Sequence, residues 1–102
     1  MAIDFMKRSH TFPAHTGGTQ SFDLSFTFPS NVRRAEAAVA GVNIGFASSD
    51  HHLFRVEADV RVRSITAGTV VVAVNYALRD SSGFFDDAYN GTVDVLVIVE
   101  RA

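Results

Sequence analysis

A polar connector at residues 79–91 holds most of the side chains in this sequence that could do chemistry. Its oxygen donors are Asp80, Ser81, Ser82, Asp86, Asp87 and Asn90. Ca²⁺ takes six to eight oxygen ligands, often from one loop, so the connector could bind calcium. The Asp-x-Asp-x-Asp core of an EF-hand is missing. The alternative is a turn-rich segment whose aspartates cap backbone amides.

The same connector carries aromatic rings beside its carboxylates. Small-ligand sites, carbohydrate sites included, combine aromatic faces with a few fixed polar groups. Phe84, Phe85 and Tyr89 could supply such faces. The alternative is that one or two of these rings plug the end of the fold. The ligand contacts that we predict in this connector are Asp80, Phe84, Asp86, Asp87 and Tyr89.

A second candidate segment is Asp50-His51-His52, which we predict to join the first in contacting a ligand. Adjacent histidines on a strand point to opposite faces, so they cannot easily hold one metal together. One of them, with Asp50 or with His10 or His15 from the amino-terminal region, could bind Zn²⁺, which needs three or four ligands. The alternatives are a histidine satisfied by hydrogen bonds at a strand edge, and a pairing of Asp50 with a nearby arginine.

The sequence predicts that the protein is not an enzyme. It has no cysteine nucleophile, no Gly-x-Ser-x-Gly elbow and no glycine-rich phosphate loop. Ser48, His51 and Asp80 could form a Ser–His–Asp set, but a chain rich in serine and aspartate always permits one. Asp86 and Asp87 are adjacent and diverge in an extended chain, which does not suit the facing carboxylates of a glycosidase.

Composition indicates one domain, residues 1–102, with residues 1–19 forming an amino-terminal strand and loop. A net charge of −2 gives no case for a nucleic acid partner. Cysteine is absent, so there is no disulfide framework. The amino terminus does not read as a secretion signal, and no apolar run approaches the roughly 20 residues of a membrane span. We expect a cytoplasmic protein by default, although export by a dedicated machine would leave no mark.

Alternating apolar and polar residues predict an all-β fold. From 22 to 28 and from 54 to 62 the alternation has a period of two, which is typical of strands with one buried face. We predict strands at about 3–12, 20–28, 33–47, 53–65, 69–79 and 91–101. Six strands in about 100 residues make a sandwich or a small barrel. The predicted fold class is a six-stranded antiparallel β-sandwich.

Local signals mark the turns and one irregularity. Ala67-Gly68 favours a tight hairpin, and Asn90-Gly91 is a further turn signal. The proline and paired glycines of residues 12–19 indicate a loop. Residues 34–40 could form a helix by propensity, but even apolar spacing beyond Gly41 favours a strand. A bulge near Val39–Gly41 would restore its phase.

The fifth and sixth predicted strands are apolar on both faces, which is unusual for a sandwich with wet outer faces. If the two strands are neighbours, they form an external apolar patch, and such patches usually mark an interface. The patch would contain Val71, Ala73, Ala77, Leu96 and Ile98. We therefore predict a homo-oligomer. The alternative is a loop, such as the amino-terminal segment, folded over the patch.

We also predict which side chains form the core. They are Phe22, Leu24, Phe26, Phe28, Val42, Ile44, Phe46, Phe54, Val56, Val60, Val62, Val72, Val74, Tyr76, Val93, Val95 and Val97.

The layout of residues 21–100 resembles the H-type lectin domain. The resemblance rests on Phe26-Thr27-Phe28-Pro29, an alanine-rich strand into Val42-Asn43-Ile44-Gly45-Phe46, a polar loop with Asp50, and three later strands. It implies a six-stranded sandwich, assembly as a trimer or a multiple of it, and glycans bound near subunit boundaries. The tryptophan of that family's final strand is absent, with Val97-Ile98 in its place. The resemblance therefore assigns no sugar-contacting residue.

Two functions follow from the sequence. The first is a homo-oligomeric binding module, lectin-like, without a required cofactor unless Ca²⁺ occupies the connector. The second is a structural subunit that assembles into a ring, tube or shell and has no small-molecule ligand.

Overall fold

The protein is a β-sandwich of two three-stranded antiparallel sheets. A computed structural model describes residues 2–16, 19–46, 53–80 and 88–102. The strands are β1 (Ala2–His15), β2 (Gln20–Thr27), β3 (Val32–Phe46), β4 (Leu53–Thr66), β5 (Thr69–Asp80) and β6 (Tyr89–Arg101). The first sheet has the order β1-β6-β3 and the second has the order β2-β5-β4. The predicted fold class is confirmed, and the strand bounds lie close to the predicted ones.

The two most apolar strands are the central strands of opposite sheets. β6 lies between β1 and β3, and β5 lies between β2 and β4. The prediction that they could be neighbours sharing one external patch is therefore wrong. A central strand is covered by a neighbour on each side, so its outward residues are half-buried even without a partner protein. That position explains Val71, Ala73 and Leu96, which are all half-buried.

The core lies between the inward faces of the two central strands and their neighbours. Phe26, Val72, Val74, Val93 and Val95 are fully buried there. The other buried apolar residues are Phe12, Leu24, Phe28, Val32, Val70, Tyr76, Ala77, Leu78, Tyr89, Val97 and Val99. Burial at about 25 cal/mol per Å² makes these two strands the main source of stability.

Several predicted core residues are less buried than expected because they lie on edge strands. Phe22 of β2 and Val42 of β3 are each 45% exposed, and Val56 of β4 is 50% exposed. Others on these edges are only partly buried, namely Ile44, Phe46, Val60 and Val62. Each sheet has only three strands, so two of every three are edges with one open flank. The side chain of Phe54 lies outside the described residues.

The local signals were mostly interpreted correctly. The register of β3 on β6 shifts between Val39 and Gly41, as the predicted bulge requires. Ala67 and Gly68 form the β4–β5 turn, and a Cβ on Gly68 would come within 2.7 Å of the Phe28 carbonyl oxygen. The prediction of a turn at Asn90-Gly91 is wrong, because both residues lie inside β6.

Gly91 is required by a close approach of strands rather than by a turn. A Cβ at this position would lie 2.1 Å from the Asn43 carbonyl oxygen and 2.7 Å from the Ile44 Cα. Both obstacles are backbone atoms of β3, so neither can move without breaking the ladder. The amino-terminal loop also begins later than predicted. β1 continues to His15 through an irregularity after Phe12, where Pro13 sits on an edge strand.

The sandwich is long and narrow. Its Cα extents are 50 × 19 × 18 Å and its radius of gyration is 15.7 Å, against about 13 Å for a compact 100-residue domain. Strands of up to 15 residues in sheets only three strands wide produce this shape. The shape leaves a large fraction of each sheet's outer face uncovered.

Candidate functional site

The strand register brings three connectors to one end of the sandwich, which we call the loop end. In the first sheet, His15 and Phe46 both pair with Tyr89, so β1 and β3 finish where β6 begins. In the second sheet, Leu53 pairs with Asp80, so β4 begins where β5 finishes. The connectors that leave these strands span residues 16–19, 47–52 and 81–88.

Ring contacts between the sheets show that their two ends coincide. The rings of Phe12 and Tyr76, which belong to opposite sheets, stack with centroids 4.1 Å apart. Phe12 also meets the edge of Tyr89 at 5.8 Å. The opposite end carries the β4–β5 turn, and Ala102 there donates a backbone hydrogen bond to Asn31. The sandwich thus separates a turn end from the loop end.

The predicted site residues divide between described and undescribed positions. Asp50, His51, His52, Phe84, Asp86 and Asp87 lie outside the described residues. Asp80 is the last residue of β5 and Tyr89 is the first residue of β6. The strands that flank the two predicted segments therefore finish at the same end of the sandwich.

Tyr89 is a core residue rather than an exposed contact. Its relative exposure is 0%, and its ring packs among the buried side chains. Burial raises the pKa of its hydroxyl, and the neighbouring Tyr76 and Glu57 raise it further. Among the rings of the connector, Tyr89 follows the alternative interpretation and plugs the end of the sandwich. It is unsuited to stacking on a ligand at the surface.

A histidine sits inside the sandwich, in a group of rings that the sequence did not predict. His10 is 9% exposed and stacks on Phe22 with ring centroids 4.2 Å apart. A hydrogen bond of 3.2 Å joins its Nε2 to the Tyr76 hydroxyl. Burial lowers the pKa of His10, which favours the neutral form of the ring.

The proposed role of His10 as a zinc partner of Asp50–His52 does not fit this position. His10 pairs with Val93, four residues inside β6 from the loop end, or about 14 Å along the strand. Its ring is held by Tyr76 and Phe22 instead. The signal that could have located it is the shared parity of His10 and Phe12, which places both on the inward face of β1.

The two open flanks of the sandwich differ. On the β1–β2 flank, Arg8 points inward and donates a hydrogen bond to the Ser25 carbonyl oxygen, with its guanidinium 6.0 Å from the Phe26 ring centroid. An inward charge on an edge strand discourages pairing with another chain. On the β3–β4 flank, inward-facing Val42 and Val56 remain about half exposed.

The outer face of the second sheet is polar around its apolar centre. An ion pair of Asp23 with Arg63 joins β2 to β4 across β5. The Thr19 hydroxyl donates a 2.7 Å hydrogen bond to Glu57, which pairs with Ala77. Ala77 is 3% exposed, so this member of the predicted patch is already buried within the chain.

The outer face of the first sheet is different, because its apolar side chains are open. Ile3 is 69% exposed, Phe5 is 72% exposed and Ile98 is 46% exposed. Phe5 pairs with Ile98, and Lys7 pairs with the half-buried Leu96. We call the apolar side chains of Ile3, Phe5, Leu96 and Ile98, together with Ala38 opposite Leu96, the outer patch. The sequence prediction found its β6 half but missed its β1 half.

The described residues contain no group of three or more histidine, cysteine or acidic side chains placed to hold a metal ion. Within the same residues, no helix is long and apolar enough to cross a membrane.

Comparison with protein-family models, with curated proteins and with solved structures finds no match to this chain.

Proposed function

We propose that this protein is a non-enzymatic binding module that acts as a homo-oligomer and takes a carbohydrate ligand at its loop end. The observation that supports this most is the convergence of three connectors at one end of a rigid sandwich. Binding residues are found disproportionately on loops that a rigid scaffold positions. Here the scaffold is well packed to its end, because Phe12, Tyr76 and Tyr89 fill it.

The residues carried by these connectors suit a hydroxylated ligand. Asp50, Asp86 and Asp87 offer acceptors for sugar hydroxyls, and His51 and His52 offer donors or acceptors. Phe84 and Phe85 could supply an apolar face against a sugar ring. Ca²⁺ could bridge the carboxylates and the ligand, since both present oxygen atoms. Tyr89 does not contact the ligand in this proposal; it belongs to the core on which the connectors are mounted.

A glycan array tests the binding proposal, with wild type compared against an Asp86→Ala/Asp87→Ala double variant. We expect wild type to bind one class of glycan and the double variant to lose that binding. A role in ligand contact, without a role in the core, predicts that its melting temperature stays near that of wild type. Asp59→Ala, an exposed carboxylate on the outer face of the second sheet, is the matched control and should bind like wild type.

Two results would contradict the proposal. The first is the absence of any glycan signal for the assembled wild-type protein. The second is unchanged binding in the double variant, which would move the ligand away from the 81–88 connector. Repeating the array with EDTA separates a calcium-dependent site from a direct one, because only the former loses binding.

The alternative function is a structural subunit without a small-molecule ligand. The outer patch favours it, since Ile3, Phe5 and Ile98 are open where a sandwich usually has polar side chains. A native mass measurement together with the array distinguishes the two. A defined oligomer that binds no glycan supports the structural subunit, and a glycan signal that depends on Asp86 and Asp87 rules it out.

A further inference from the structure

We propose that the outer patch docks onto the same patch of a second copy, so that the two first sheets stack face to face about a two-fold axis parallel to β6. This inference deepens the homo-oligomer part of the proposed function and rests on it. To the predicted homo-oligomer it adds the complete contact surface and the orientation of the second copy.

The composition of the face supports an interface centre with a polar rim. Strand alternation puts Ile3, Phe5 and Lys7 on the outer side of β1, while Met6 between them packs on the core. The register then places Ile98 between Phe5 and Glu36. Ile98 on the central strand thus forms one apolar cluster with Ile3 and Phe5 on β1, and Lys7, Glu36 and Glu100 border this cluster. This is the arrangement of a protein–protein interface.

The rest of the same face is already satisfied within the chain. Ser9 donates a hydrogen bond to Asp94, and the hydroxyls of Thr11 and Thr92 lie 3.1 Å apart. These cross-strand contacts lie toward the loop end. The open apolar side chains are confined to the other half of the face, so the patch has a defined boundary.

The size of the face is sufficient for a stable contact. The sandwich is 50 Å long and three strands about 4.8 Å apart are about 14 Å wide, so full overlap would cover roughly 700 Å² on each copy, near the about 800 Å² per partner of a standard interface. The apolar centre is about 300 Å², taking three strands about 4.8 Å apart and three rows of outward side chains. The apolar centre is therefore smaller than a standard interface, so the charged residues around it must also be complementary between the two copies.

The charges select the orientation of the second copy. Lys7 is on β1 and Glu36 is on β3, at opposite margins of the patch. Within the part of the chain that the structure describes, neither forms an ion pair. A two-fold axis parallel to β6 lays β1 of one copy over β3 of the other. Glu36 of one copy then faces Phe5 of the other and lies one row of outward side chains, about 7 Å along the strand, from Lys7. The two opposite charges approach each other in this way twice across the interface.

The perpendicular two-fold axis is less favourable. It would lay β3 over β3 and bring Glu36 against Glu36. In the parallel arrangement the residues on β6 meet their own copies, so Ile98 meets Ile98 and Leu96 meets Leu96. Glu100 would also approach Glu100, but Arg34 is its register partner in the same sheet and offsets that charge.

Charge reversal tests the orientation through three variants measured by sedimentation or native mass spectrometry over a concentration series. We expect Lys7→Glu and Glu36→Lys each to weaken self-association by about tenfold or more, since like charges then face each other. The double variant Lys7→Glu/Glu36→Lys should recover wild-type association. Arg61→Glu, on the outer face of the second sheet, is the control and should assemble normally. Wild type should contain an even number of copies.

The proposal is overturned if both single variants assemble like wild type, or if the double variant fails to recover. A wild-type protein that stays monomeric at high micromolar concentration overturns it as well. The array on the same variants keeps the two proposals separate. If the charge variants lose assembly but still bind glycan, the binding module is supported independently of the face contact. If the charge variants assemble normally and the Asp86/Asp87 variant loses binding, only the face contact is contradicted.

Discussion

Replacing Tyr89 by alanine should destabilise the protein severely, because its ring is part of the core. The side chain has 0% exposure and meets Phe12 across the end of the sandwich. Truncating a buried aromatic residue to alanine costs about 3–5 kcal/mol. In a domain of this size 1 kcal/mol lowers the melting temperature by about 4–8 °C, so a drop of at least roughly 12 °C is expected.

Urea unfolding followed by tyrosine fluorescence and circular dichroism measures this effect. Tyr89→Phe is the matched control, because it keeps the ring and removes only the hydroxyl, a change of about 1 kcal/mol. If the free energy of unfolding of Tyr89→Ala lies within about 0.5 kcal/mol of the wild-type value, the ring is not in the core. Tyr89 would then return to the group of candidate ligand contacts.

Three further substitutions test other parts of the structure. Gly91→Ala should prevent or severely weaken folding, because its Cβ would overlap the Asn43 carbonyl oxygen. Gly45→Ala is the control and should be tolerated, since nothing lies within 4 Å of its added Cβ. Thermal melts of the two variants measure the difference. His10 has a pKa below its usual 6.5 in the folded protein, so the unfolded state binds the proton first. The free energy of unfolding should have its full value above about pH 6.5 and should fall as the pH drops toward the pKa of the folded state. In unfolding measured against pH, His10→Gln should remove this dependence. Ile98→Lys should abolish self-association by placing a charge at the centre of the outer patch, and light scattering that shows the wild-type mass would contradict the role of that face.

Strand positions were predictable because alternation is a local property of the sequence. The period of two in residues 22–28 and 54–62 identified β2 and β4, and the broken phase at Val39–Gly41 identified the bulge. Each of these signals depends only on which face of one strand is buried. A reader of the sequence needs no knowledge of the strand's neighbours to find them.

Strand pairing was not predictable from the same signals. β5 and β6 are apolar on both faces because each is central in its own sheet, and that property does not reveal whether two such strands are neighbours or face each other. The β1 half of the outer patch was missed for a related reason. Ile3 and Phe5 read as ordinary strand residues until the register places them beside Ile98.

The buried polar and aromatic residues escaped prediction because other features masked their environment. Arg8 interrupts the apolar inward row of β1, so His10 did not stand out as a core residue. Asn90-Gly91 favoured a turn and therefore assigned Tyr89 to a connector. The glycine is in fact needed where β3 passes close to β6, a long-range requirement that no local pattern contains.

The most direct test of the central claim is a map of backbone amide chemical shifts during titration with the tightest glycan from the array. A loop-end ligand predicts shifts at residues 47–52 and 81–88 and at the strand ends beside Phe46, Asp80 and Tyr89. Residues of the outer patch should not respond. Shifts centred on Ile3, Phe5 and Ile98, or no shifts at all, would contradict a binding module whose ligand sits at the loop end.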